Sequence, residues 1–472
     1  MKPALLAAAA LGAIVSTAPA NAQHPGHEQH QPPAQPEPPA EQPQEPAPDH
    51  GQMDHQQMDH GQMDHGQHAA PPATESEDHS GHEMAMTGAL GPYPMAREAS
   101  GTAWQPDTSE HGGLHLMSGE WTFMAHGELD LVHSWQEKPR GDDKTYVAGM
   151  LMGMARRQIG DGTLQFKAMV SPDPLMGKRG YPLLLASGET ADGEEPLVDR
   201  QHPHDFFMEL SASVSQNIGP KSSVFLYAGL PGEPAFGPPA FMHRQSISAS
   251  PEAPISHHWL DSTHITFGVL TAGLVHDTAK IEVSRFNGRE PDQHRWNIET
   301  APLDSTSVRL SWNPASTLAL QGSWAHLEDP EQLEPGIDQR RWSASGIYTR
   351  PMKDGWWSTS LAWGRKTIDG DSFDAFALES SLNWNDWTLF GRGEITENNE
   401  LVVEHDEVDD HHGEAFRVGK VSVGLLKDFR VATNLKLGLG GLYAFNFVPE
   451  ELEPVYGGDP NGAMAFVRLK LD

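Results

Sequence analysis

The chain contains no cysteine. That excludes disulfides, thiolate metal sites and a thiol nucleophile, and it leaves no cysteine for a lipid anchor behind a leader. Cations are scarce: 32 Lys and Arg stand against 65 Asp and Glu, for a net charge of −33. This balance argues against nucleic acid as a partner and suits the attraction of cations. Long apolar runs are also missing. The stretch from Leu5 to Val15 is too short for a membrane-spanning helix, and no later run reaches that length. With Lys2 before it and Ala20-Asn21-Ala22 after it, this stretch has the form of a secretory leader over residues 1–22, so the mature chain is expected to begin near Gln23. There is no Gly-x-Ser-x-Gly elbow, no His-Glu-x-x-His and no glycine-rich phosphate loop, so an enzyme is not expected.

What the chain does have begins in residues 23–103. This segment is rich in Pro, Gln, Glu, His and Ala, and ten of the 26 histidines lie in it. Its composition predicts a tail that stays disordered until it meets a ligand. Gln-Met-Asp-His occurs three times with a period of five, giving Met53, Asp54 and His55, then Met58, Asp59 and His60, then Met63, Asp64 and His65, with His68 beyond. A second cluster holds His79, His82, Met84 and Met86. Each repeat joins a thioether, a carboxylate and an imidazole. Thioethers suit Cu(I), and imidazoles suit Cu(II), Zn and Ni. With no core to bury, a bias this strong points to metal capture rather than folding.

From about Trp104 the pattern changes to short segments of alternating polarity, the strand signal. One example is Ala463, Ala465, Val467, Leu469 and Leu471 set against Met464, Phe466, Arg468 and Lys470. Sixteen candidate strands run from residue 120 to residue 471. Their connections alternate between tight turns (among them Asp161-Gly162, Asn313-Pro314, Asp354-Gly355, Asn385-Asp386 and one near Asp428) and long loops at 172–204, 230–261, 288–303, 328–339 and 398–414. Tryptophans 135, 259, 312, 324, 342, 356, 357, 384 and 387 fall at or near the expected strand ends. Short turns on one rim, long loops on the other and aromatic girdles predict an all-β chain. It should form a transmembrane outer-membrane antiparallel β-barrel of about sixteen strands over residues 104–472, embedded in outer-membrane lipid of a Gram-negative cell. An even strand count puts both ends on the periplasmic side, where the tail would hang. A barrel of this size is expected to leave an aqueous channel.

The leader, the Met-Asp-His repeats and the following barrel together resemble the copper resistance protein B family. The likeness is firmest over residues 50–86. A related porin-like barrel of heavy-metal resistance operons is the other group it resembles. The resemblance implies copper tolerance and a periplasmic partner such as a copper protein or multicopper oxidase. The expected ligand is copper, Cu(I) or Cu(II), with Zn or Ni as other metals, and the expected function is capture by the tail followed by sequestration or export. Two alternatives stand beside it: a general porin with an incidental tail, and a sequestering tail anchored by a plugged barrel.

Within the barrel, His202 and His204 flank Pro203 where the longest loop re-enters, and His257 and His258 lie in the next long loop with His243. Loops on one rim can fold inward, so these four histidines are the candidate metal site at the mouth. Met150, Met152 and Met154 alternate along the second strand, with Met124 and Met169 on its expected neighbours. Facing the lumen they form a soft ladder for Cu(I); facing lipid they are apolar filler. Arg156-Arg157, Arg340-Arg341, Arg365-Lys366, Arg392, Arg417, Arg468 and Lys470 are expected to face Glu209, Glu282, Glu379 and Glu394 across the lumen.

Overall fold

The computed structural model describes residues 87–110, 112–402 and 414–471. The repeats and the second His/Met cluster, from Met53 to Met86, lie outside the described residues. The strands are β1 (Leu114–Ser118), β2 (Trp121–Gln136), β3 (Asp143–Ile159), β4 (Gly162–Val170), β5 (Tyr181–Thr190), β6 (Pro196–Gln201), β7 (Phe207–Gly219), β8 (Ser222–Gly229), β9 (Val269–His276) and β10 (Ala279–Phe286). They continue with β11 (Ser305–Ala315), β12 (Leu318–Leu327), β13 (Gln339–Met352), β14 (Gly355–Ile368), β15 (Asp371–Trp384), β16 (Trp387–Asn398), β17 (Phe416–Ala432), β18 (Leu435–Phe447) and β19 (Asn461–Leu471).

Among the described residues, sixteen of these strands form one antiparallel barrel, closed where β19 pairs with β2 from Leu471↔Gly127 to Gly462↔Gln136. Closure leaves no unpaired sheet edge in the bilayer. β1 continues the β2 edge past the end of β19, and β5 pairs only with β6.

The wall is inverted relative to a water-soluble barrel. Along β10, Lys280, Glu282 and Ser284 are buried while Ile281 and Val283 are exposed. Along β15, Glu379 and Ser381 point in while Phe376, Leu378 and Leu382 point out. Outward leucines over inward charges are stable only where lipid replaces water outside, as in an outer-membrane β-barrel. Exposed tryptophans mark the two rims. Trp312, Trp357, Trp384 and Trp387 lie near the short turns, and Trp135 and Trp342 lie near the long loops.

Several expectations need correction. Asn313-Pro314 is not a turn. It lies inside β11, where Pro314 cannot donate to the ladder and the register shifts between Trp312 and Ala315. Asp428 lies inside β17, and the turn falls at Thr433-Asn434. The strand expected over 262–271 starts only at Val269. Residues 257–264 are instead helical turns, pinned by Asp261. One connection on the long-loop rim is short: Asp369 (φ 47°) and Gly370 (φ 100°) make a two-residue hairpin turn that the sequence reading passed over. Trp259 is not in a girdle. It is buried in the lumen, donating from Nε1 to the Phe373 carbonyl at 3.1 Å. Of the expected luminal cations, Arg341 and Lys366 face inward, but Arg340 and Arg417 are exposed and Arg365 is bound to Asp374 beyond the lumen. Adjacent residues of a strand cannot share a face, so one of each pair had to leave.

The lumen is occupied by three segments of the chain itself, in place of the expected channel. Loop 230–268 crosses it. Arg244 is held by Glu379 at 2.7 Å and Asp261 at 2.6 Å. Glu252 is ion-paired with Lys420 at 2.5 Å, and Arg468 donates to the Ser248 carbonyl at 2.8 Å. The β5–β6 hairpin lies at the long-loop end. Leu183, Leu184 and Leu185 are buried there, Ser134 donates to the Pro182 carbonyl, and Tyr456 donates to Asp199. Its apolar run lost the period-two signature because both faces are covered. Residues 87–110 line the short-turn end. Lys167 donates to the Gly101 carbonyl, Ser215 to that of Ala89, and Thr108 to that of Thr349. Composition alone placed residues 87–103 in the tail. Their buried Leu90, Tyr93 and Arg97 pack inside the wall instead.

Candidate metal centre

Two luminal segments bring five histidines together among the described residues. His202 and His204 follow β6, where Pro203 keeps the chain extended. His257 and His258 open the short helix α1 (His257–Leu260), and His264 follows it. His202, His257 and His258 form a triangle with ring centroids 5.4 to 5.8 Å apart. His264 adjoins His257 at 5.3 Å and His204 at 5.2 Å, with Phe241 against this second group. Two imidazoles on one tetrahedral ion at about 2.0–2.1 Å per nitrogen bring their centroids to roughly 5 Å, so these spacings suit ligation by neighbouring pairs of rings.

Each ring is oriented through Nδ1. His257 meets Asp261 Oδ1 at 2.8 Å, His204 meets Asp173 Oδ2 at 2.9 Å, His202 meets Glu189 Oε1 at 3.2 Å and His258 meets Glu290 Oε1 at 3.3 Å. His264 donates to the Asp261 carbonyl at 2.7 Å. Carboxylates and carbonyls only accept, so the proton sits on Nδ1 and a neutral ring keeps its lone pair on Nε2. The Nε2 atoms of His202, His204, His258 and His264 are buried with no hydrogen-bond partner. A buried acceptor left unpaired costs stability. Nδ1 engaged by a carboxylate with a bare Nε2 is the arrangement of metal-binding histidines.

Electrostatics keeps most of the rings in the ligating form. Burial holds His202 well below the usual imidazole range, with Arg295 adding to it. Burial does the same to His264, helped by its neighbouring imidazoles, and outweighs Asp261 in lowering His257. His258 differs. Burial pulls it down, but Glu290 beside it prevails and pushes it up to about 9. A ligated ion would displace that proton. His258, Glu290 and Glu331 also form a compact group, their ligand atoms within 4.8 Å of one another. Glu290 and Glu331 border a cavity on the long-loop side that Glu189 and Glu400 share. Burial and its acidic neighbours push Glu331 up to about 7. Arg295 lies behind the rings and pairs with Glu189 and Asp205.

Gly188 makes room at the ring of His258. Its φ is +108°, and a Cβ there would stand 2.3 Å from His258 Nε2. Gly188→Ala is expected to cost about 1–3 kcal/mol of backbone strain and to cover the nitrogen. The barrel should still form, with loss of tight metal binding in a chelator-competition titration. A wild-type affinity in that variant would show that His258 Nε2 is not a ligand.

The structure thus brings together His202, His204, His257 and His258 as expected from the two long loops. Sequence reading missed His264, hidden in the misassigned strand, and the orienting carboxylates Asp173, Glu189, Asp261 and Glu290. His243 belongs elsewhere, beside His126 at 6.3 Å. The methionine face left open by the sequence is the luminal one: Met124, Met150, Met152 and Met169 are all buried.

No family model matches the chain, and no curated protein matches it. Among solved structures it is similar to Salmonella typhi OmpF in complex with daunomycin, at 11% identity and a TM-score of 0.48, covering 76% of this chain and 100% of that one. It is also similar to the anion-selective porin of Comamonas acidovorans, at 12% identity and a TM-score of 0.42, covering 75% and 100%. The high-pH structure of Pseudomonas putida OprB is similar at 9% identity and a TM-score of 0.48, covering 75% and 94%.

Proposed function

We propose that this outer-membrane barrel is a metal-handling protein that takes copper, or a neighbouring late transition metal, into a histidine centre enclosed by its own luminal loops. The observation that carries this reading is the set of buried Nε2 atoms at His202, His204, His258 and His264, each on a ring already oriented through Nδ1. Copper stands first because imidazole sites follow the order in which Cu(II) exceeds Ni and Zn. The tail supports the same choice, through its Met-Asp-His repeats and their resemblance to the copper resistance protein B family. Residues 87–110 line the short-turn end of the lumen, which is the periplasmic side in outer-membrane barrels. In this proposal the tail is periplasmic. Its many weak sites on one tether raise the metal concentration at the barrel. The occupied lumen favours holding the ion over free diffusion, and no step in this account calls for enzymatic chemistry.

The test is copper tolerance and periplasmic copper in a deletion strain complemented with three forms. The full-length chain is expected to restore tolerance, the form lacking residues 50–86 to restore it only in part, and a form lacking the histidine centre to fail. Equal rescue by all three, together with large unselective conductance, would identify a general porin with an incidental tail.

A further inference from the structure

Seven methionines gather on one side of the lumen, where a porin wall would place polar groups. Met150, Met152, Met169 and Met208 are buried in one cluster, with Met154 and Met242 against it. Met124 stands directly across the ladder from Met154, and Met152 across from Met169. Six come from the wall strands β2, β3, β4 and β7, and Met242 comes from the plugging loop. Apolar filling alone does not account for this choice, because leucine or valine fills a β-wall with better-defined rotamers.

The cluster borders two cavities. One cavity is lined by Met150, Met152, Met242, His126, His243 and Glu128 and reaches Lys470 and Leu471 at the short-turn end. A second cavity shares Met150, Met242 and Glu128 with the first and is bounded on its far side by His202 and His204. Met150 and Met242 thus stand between the short-turn side and the histidine centre, in cavities that polar side chains such as Glu128 and Gln245 line as well. Thioether sulfur is a soft, neutral ligand that favours soft monovalent cations and discriminates against hard divalent ones.

We infer that the cavity between Met150, Met152 and Met242 is a second metal site, selective for a soft monovalent cation such as Cu(I) or Ag(I), placed between the short-turn rim and the histidine centre. This rests on reading the barrel as a metal-handling protein. Thioethers need no deprotonation and bind without a counter-charge, so a soft ion can occupy the site and leave it readily. The histidine centre beyond it holds borderline ions more tightly. Ligand softness thus falls from the short-turn side towards the carboxylates of the long-loop side.

Silver(I) and nickel(II) distinguish the two sites in the full-length chain. The variant carrying Met150→Leu, Met152→Leu and Met242→Leu keeps side-chain volume, and retained heat-modifiable mobility on gels reports its fold. Native mass spectrometry is expected to show one fewer Ag(I) retained by that variant than by wild type, with the Ni(II) count unchanged. The His257→Gln, His264→Gln double variant is expected to retain one fewer Ni(II) and keep its full Ag(I) count. Equal Ag(I) counts in wild type and the triple leucine variant overturn the soft site while leaving the histidine centre standing. Loss of neither metal in the histidine variant overturns the centre instead. Should the leucine variant fail to assemble, anomalous scattering from Ag(I) in wild-type crystals decides. Silver between Met150, Met152 and Met242 upholds the inference, and a lumen without silver there overturns it.

Discussion

Replacing His257 and His264 together with glutamine is expected to weaken the tight class of metal binding at least about 100-fold, a larger effect than removing an orienting partner, which costs roughly 10–100-fold. His257 is the hinge of the five-ring cluster, in contact with His202, His258 and His264, while His264 links it to His204. Both rings lean on Asp261, one through its side chain and one through its carbonyl. A glutamine amide can still donate to Asp261, so the helical turn should hold, but it offers no nitrogen lone pair to an ion. Wild type and variant are compared by Ni(II) or Zn(II) competition against a chelator, using the full-length chain in detergent. The weak sites of the tail contribute equally to both, so the difference reports the centre. Equal dissociation constants would remove the histidine centre from the account.

Arg244→Ala is expected to release the plugging loop and raise single-channel conductance several-fold, with a stability loss of about 3–5 kcal/mol for breaking a buried ion pair from one side. The Arg244 guanidinium is almost fully buried and bridges two carboxylates, Glu379 on β15 and Asp261 on the loop, and it also donates to the Pro239 carbonyl. Without it, Glu379 keeps Arg392 at 3.4 Å and the hydroxyls of Ser246 and Ser360. Asp261 keeps His257. Both buried carboxylates then lose the cation they share, and water entering the loop contact relieves their charge. Planar-bilayer recordings give the conductance, and the unfolding temperature on gels gives the stability. A variant with wild-type conductance and wild-type unfolding would show that this pair does not hold the loop.

The wall was legible from the sequence because each strand carries its own instructions. Alternation with period two set the faces, and in most places Gly, Asn or Asp beside a polar neighbour set the turns. Twelve of the thirteen residues of β7 could therefore be placed without knowing β8. Errors came where a local sign had two meanings. Pro314 ends a strand or bulges one, and adjacent arginines such as Arg340 and Arg341 do not announce which faces in. Asp369-Gly370 was overlooked because long loops were expected on that rim.

By itself the sequence determined the all-β class, the barrel in lipid, most strand boundaries to within a few residues and the loops from which the metal-ligand candidates come. Only the tertiary structure decided that those loops fold into the lumen rather than over it. It alone placed His264 beside His204 and His257, set Asp173, Asp261 and Glu290 behind the rings, and turned the methionine face inward. The reason is physical. Strand alternation is a local response to two solvents, lipid and lumen. The meeting of two plugging loops depends on buried charge pairs such as Arg244 with Glu379, whose partners lie far apart in the chain and leave no periodic trace in it.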